Sequence, residues 1–323
     1  MRWRGGRRSN NVQDLRGQGG GRRRGGLGGL GGMLGGGGGG RRRMGGRKGG
    51  IGLLGIVIVV GIGLLMGGDL STILGTVMGG GGQSYAPGPS VSTQRTSGPA
   101  GVRQTGRADQ DELANFTATV LAYTEDAWHV IFKQEGLQYR EPKLVLFDGA
   151  VQSACGMGQA AMGPFYCPGD QKVYIDLSFY RDLKERFRAP GDFAQAYVIA
   201  HEVGHHVQTL LGVSEKVQQA KRRASREEAN AIQVKMELQA DCLAGVWANY
   251  ANRKERILEA GDVAEAMAAA EAIGDDTIQR RSTGRVRPET FTHGTAAQRQ
   301  RWFNAGLESG RMNACDTFSA RRL

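Results

Sequence analysis

Acidic residues are almost missing from the start of this 323-residue chain. Over residues 1–48 Asp14 stands alone against 13 of the 42 Lys and Arg, giving the stretch a charge of +12 while the rest sums to about −1. The basic balance therefore belongs to a leader and not to a basic fold, which argues against a nucleic-acid-binding domain. Cysteine is also scarce. There are four, none in a CxxC pair, so no redox or zinc-ribbon motif is present. No internal repeat is found, which excludes a solenoid.

What is abundant early on is glycine, with 22 in the first 50 residues. Such a leader cannot bury enough apolar surface to offset its ordering entropy, and disorder is expected over 1–48. Its bases end at Arg41, Arg42, Arg43, Arg47 and Lys48. There follows an uncharged run, residues 49–68, that ends at Asp69. Twenty residues at the helical rise span about 30 Å, the thickness of a hydrocarbon core. The flanking bases predict a single-pass inner-membrane anchor with a cytoplasmic N-terminus and an extracytoplasmic domain. Residues 69–108, rich in Gly, Pro, Ser and Thr, read as a flexible linker, and the folded domain is expected over 109–323. In an oxidising compartment four cysteines make two disulfides. Three pairings are open. Cys155 with Cys167 and Cys242 with Cys315 is favoured, because it closes a short glycine-rich loop and staples the helical region to the C-terminus.

Within the domain, apolar residues from Leu113 to Ile131 recur at helical spacing, and two β-rich runs, Lys143 to Phe147 and Lys172 to Leu177, follow. Helices dominate thereafter. Capping pairs Asp192/Gln195, Ser225/Glu228, Asp262/Glu265 and Thr295/Gln298 mark four helix starts.

The second of these helix signals is preceded by HEVGH. His201 and His205, four residues apart, project from one helix face and can reach a single ion, and Glu202 points about 100° away, close enough to serve as general base. Their neighbours Val198, Ile199, Ala200, Val203 and Val207 are apolar, and buried imidazoles there need a partner. A catalytic zinc takes three protein ligands and keeps one position for water. Glu237, on the helix opened by Ser225, is the candidate third ligand. Asp241 is one turn on and can accept the free ring N–H of a ligand histidine.

HEVGHH followed by ELQADCLAG resembles the glutamate-type zincins. More narrowly, SACG, GPFYCPGDQKVYIDLSF, GDFAQAYVIAHEVGHHVQ, ELQADCLAGVWA, GDD and FTHGTAAQRQRWFNAG resemble the bacterial neutral zinc metallopeptidase family. The resemblance implies an α+β, mainly helical zincin-like domain with a small sheet, a zinc cofactor and a protein or peptide substrate. It also implies that an edge strand pairs with extended substrate, for which VYIDL is the candidate, with a core strand as the equal alternative. Zinc and Glu202 would together activate a water for attack on the peptide carbonyl. A donor to the developing oxyanion is also needed, with His293, Tyr197 and His206 as candidates and His293 preferred. His206 lies about 140° around the helix from His201 and reads as structural, as does His129. The competing reading is a zinc-stabilised extracytoplasmic binding domain without proteolysis, which gives Glu202 no task. A third makes the basic leader an RNA- or lipid-binding tail. Nucleic acid is not expected as a partner, and the oligomeric state is not legible.

Overall fold

The structure, a computed structural model, describes residues 1–17 and 100–323. The apolar run at 49–68, the leader beyond residue 17 and the expected linker up to residue 99 lie outside the described residues. No described helix is long and apolar enough to cross a membrane.

In chain order the elements begin with strand β1 (Val12–Asp14), helix α1 (Ala100–Gln134), and strands β2 (Lys143–Phe147), β3 (Ala150–Ser153), β4 (Gly156–Gln159), β5 (Phe165–Cys167) and β6 (Lys172–Asp176). Helices α2 (Ser178–Glu185), α3 (Asp192–Leu210), α4 (Val213–Lys221), α5 (Arg226–Glu255), α6 (Asp262–Ala272), α7 (Asp275–Thr283) and α8 (Ala296–Ser309) follow. The fold is α+β and mainly helical.

Four residues in succession are buried in β2 and again in β6, the pattern of central parallel strands. They pair in parallel, with Leu144 opposite Val173 and Leu146 opposite Ile175. The sheet runs β1-β2-β6-β5, with β5 antiparallel to β6, and β3 and β4 form a separate hairpin. The strand VYIDL, expected at an edge, is therefore interior, because β2 and β5 occupy both of its sides. The edge is β5.

The leader differs from expectation as well. Residues 1–17 are ordered on the domain, with β1 parallel to β2 and Met1 in the main core. Composition over 48 residues hid this, because the glycine-poor first 16 residues were averaged with the glycine-rich remainder. At the other end, α1 begins at Ala100, inside the expected linker; extending an established helix adds one hydrogen bond per residue fixed, and no proline follows Pro99 until Pro142.

Helix α3 is apolar around most of its circumference, with Phe193, Ala194, Tyr197, Ile199, Ala200, Val203 and Val207 all buried, so it runs through the core. The capping boxes at Ser225 and Thr295 form as expected, each worth about 1 kcal/mol. The Asp192 and Asp262 caps do not, and Gly261 takes the N-cap position of α6. Gly191 takes that of α3 at φ +121, where a Cβ would lie 2.0 Å from the Glu265 carboxyl carbon, and that carboxylate from α6 accepts from Phe193 N–H at 3.0 Å. Disulfides join Cys155 to Cys167 and Cys242 to Cys315.

Candidate metal centre

Close approach of α3 and α5 creates the site. A Cβ on Gly204 would lie 3.0 Å from the Ala240 carbonyl oxygen, so only glycine lets the two backbones meet so near His205. Gly245 of α5 serves a different approach and faces α8, where a Cβ would fall 2.1 Å from the Phe303 carbonyl oxygen. The crossing brings Glu237 opposite the histidine pair. His201 Nε2 lies 3.2 Å and His205 Nε2 3.4 Å from Glu237 Oε2. Metal bonds near 2.0–2.1 Å in a tetrahedron put ligand atoms about 3.3 Å apart, so this spacing is that of three ligands around one ion.

Each of the three has its free atom aimed by a partner. Asp241 can only accept at His201 Nδ1 (2.8 Å), so that nitrogen carries the proton and Nε2 keeps its lone pair for the site. At His205, Nδ1 donates to Gln208 Oε1 at 2.8 Å, and the Gln208 amide is fixed by donating to Met236 O and Gln239 Oε1. Gln233 Nε2 donates to Glu237 Oε1 at 2.7 Å, leaving Oε2 to face the histidines. Asp241 is itself enclosed. Arg299 meets it with Nε on Oδ2 and Nη2 on Oδ1, both at 2.9 Å, and the Tyr197 hydroxyl donates to Oδ1 at 2.6 Å.

These contacts set the charges. Burial alone would raise the Asp241 pKa, but Arg299 and His201 hold it at about 2. Burial works against a charged His201, yet Asp241 and Glu237 push its pKa up to about 10. Burial likewise opposes ionised Glu237, and the two histidines keep it well below the ordinary carboxylate range. The ionised Glu237 and Asp241 thus favour positive charge on the imidazoles, and protons there compete with a metal for the site.

The three ligand candidates line an open cleft of about 380 Å³ together with Glu202 and His293. Its apolar lining includes Phe179, Phe187, Val198, Ile273 and Ile278, and Phe165 and Tyr166 line it from the edge strand β5. His293 Nδ1 is 3.1 Å from Asp275 Oδ1, and Asp275 Oδ2 accepts from the backbone N–H of Thr292, His293 and Gly294, fixing the loop that carries the ring. Burial opposes charging His293, but Asp275 raises its pKa above the ordinary value.

The other two oxyanion candidates are placed elsewhere. Tyr197 spends its hydroxyl on Asp241 in the core. His206 faces away from the metal position. Its Nε2 donates to Arg140 O at 2.6 Å and its Nδ1 accepts from the Tyr166 hydroxyl at 3.0 Å, and burial lowers its pKa to about 4, so it is neutral. His129 pairs with Glu141 on the exposed side of α1. Sequence reasoning missed Gln208, Gln233, Asp275 and Arg299. The first two stand three residues after His205 and four before Glu237, spacings that share a helix face. Asp275 and Arg299 lie in the GDD and FTHG segments, but only the fold shows which side chains they meet.

Another group, Asp192, Asp262 and Glu265, also brings three carboxylates within ligand reach of one another. The Met1 ammonium sits there, 2.5 Å from Asp192 Oδ1 and 3.3 Å from Asp262 Oδ1.

Two imidazole nitrogens and one carboxylate oxygen form the borderline donor set that suits zinc, and the oriented lone pairs fit a tetrahedral ion with one side open to the cleft. Comparison with known proteins agrees with this chemistry. Residues 1–318 match the family described as "Putative neutral zinc metallopeptidase". The Escherichia coli (strain K12) "Uncharacterized protein YpfJ" is 46% identical over 318 residues, covering 98% of this chain and 99% of that protein. An uncharacterized protein of Mycobacterium tuberculosis (strain H37Rv) is 47% identical over 195 residues, 57% of this chain and 65% of its own. No solved structure matches the chain. Because the match runs from the leader through both ligand helices to the C-terminal turn, the chain belongs to the neutral zinc metallopeptidase family.

Proposed function

We propose that the protein is a zinc-dependent endopeptidase that hydrolyses polypeptide substrates bound in extended form. The observation that carries this reading is the convergence of His201, His205 and Glu237 at tetrahedral spacing on a cleft that also holds Glu202. A purely structural zinc site closes its fourth position and has no use for a base. Zinc, when bound there, supplies Lewis acidity to the attacking water and the scissile carbonyl. Glu202 accepts the water's proton and delivers it to the leaving amine. His293, whose charged form Asp275 favours, donates a hydrogen bond to the oxygen on which negative charge develops. Substrate backbone pairs with the free edge of β5, and the apolar lining that includes Phe179, Phe187, Val198, Ile273 and Ile278 accepts a large apolar side chain. The two disulfides support work in an oxidising compartment.

The decisive experiment is Glu202→Gln in the full chain, assayed on an unfolded protein substrate. Bound zinc is expected to stay at about one per chain, with hydrolysis falling by a factor of at least about 100, the lower range for a lost general base. Parent-like cleavage by this variant would reject the mechanism.

A further inference from the structure

The leader carries a result that bears on topology and is independent of the chemistry proposed above. Residues 1–17 are built into the domain by every kind of contact a fold uses. Strand β1 pairs in parallel with β2, Val12 opposite Leu144 and Asp14 opposite Leu146, with Leu144 N–H donating to Asn11 O at 2.9 Å and Leu15 N–H to Leu146 O at 2.8 Å. Further upstream, Ser9 N–H donates to Ala118 O at 3.0 Å and Arg2 N–H to Ile257 O at 2.7 Å. Trp3 meets Phe116 edge to face at 5.3 Å between ring centres. At Gly6 a Cβ would lie 2.5 Å from the Tyr123 hydroxyl, so the chain hugs α1 too closely for a side chain there.

Charge follows the same path. Glu125 on α1 is only 1% exposed, and its carboxylate is met by Arg7, Ser9 and Asn11, all from the leader. Arg7 also reaches Asp126 at 2.9 Å, Arg4 reaches Glu112, and Arg16 reaches both Asp14 and Asp111. A buried carboxylate whose partners sit across a bilayer would be uncompensated.

Strand pairing needs its two chains about 5 Å apart, and a bilayer core separates its two sides by about 30 Å. We propose that residues 1–17 share the compartment of the peptidase domain, as a strand of its sheet and a strap across α1. The chain between residues 17 and 100 then crosses a bilayer an even number of times or not at all. This replaces the expected arrangement, in which a single crossing at 49–68 leaves the N-terminus cytoplasmic and the domain outside.

The test uses the full chain in its own host. Asn10→Cys and Arg321→Cys are made singly at exposed positions, and the four native cysteines are held in disulfides, so each variant offers one thiol. A membrane-impermeant maleimide is applied to intact and to permeabilised spheroplasts. The two variants are expected to give the same ratio of intact to permeabilised labelling. Gln13→Cys, exposed on β1, repeats the measurement should Asn10→Cys fail to accumulate. Labelling of one end in intact spheroplasts, with the other reached only after permeabilisation, would overturn the proposal.

Discussion

Two clusters among the described residues bring three potential metal ligands within bonding reach of a common point, and they differ in donor type, access and what already occupies them. At His201, His205 and Glu237 two ring nitrogens and one carboxylate oxygen are aimed by outer partners at a position open to a cleft. At Asp192, Asp262 and Glu265 three carboxylates surround an ammonium that the chain itself supplies, and Glu265 spends an oxygen capping α3. Proximity of acids is thus a weak criterion. Donor type, unspent lone pairs and access from solvent separate a catalytic centre from a structural ion cluster.

The sharpest way to break that comparison is to measure metal. Glu237→Ala should lower bound zinc from about one ion per chain to about none after gel filtration, because two ligands alone hold zinc poorly. Asp262→Asn should leave zinc untouched and instead lower the unfolding free energy measured in urea, by about 1–3 kcal/mol for a buried acceptor that loses its charge. Zinc lost equally from both would erase the distinction. Next in size is Arg299→Met. It leaves Asp241 buried without its cation and should cost about 3–5 kcal/mol in unfolding free energy, with zinc affinity about 10–100-fold weaker through a misaligned His201. Unchanged affinity in a folded variant would show that Arg299 does not act through Asp241. The smallest effect concerns pH. Asp275 raises the His293 pKa, so the charged donor persists to higher pH and activity is lost as pH rises through that value. Asp275→Asn should therefore move the alkaline limb of kcat/KM to lower pH, while its remaining amide oxygen still accepts from the Thr292–Gly294 backbone. A limb that stays in place would remove His293 from the reaction.

The same contrast explains what could be read from the sequence. Local rules found the helices: the boxes at Ser225 and Thr295 need only four residues each, and HEVGH needs one turn. Glu237 and Asp241 were legible because they too share a helix face. Asp275 and Arg299 were not, since their roles exist only once α8 is packed on α5, which brings Arg299 to Asp241, and the start of α7 meets the loop that carries His293. The misplaced edge strand has the same origin. VYIDL looks like any half-buried strand until β5 and β2 take its two sides, and β2 in turn pairs with a strand from the opposite end of the chain. The failed cap at Asp192 is a tertiary override, as the helix starts one residue earlier on Gly191 and its first turn is capped by Glu265 from α6, which accepts from Phe193 N–H.

His205 and His206 are neighbours in sequence with opposite duties. The first offers Nε2 to the metal position, and the second grips the Tyr166 hydroxyl on the sheet-edge wall of the cleft. One turn of α3 therefore works as a caliper, with the ion on one jaw and the substrate-facing rim on the other. Any rotation that shifted the ligand would drag the rim with it, so the gap between them is set by the helix and not by the loops around it.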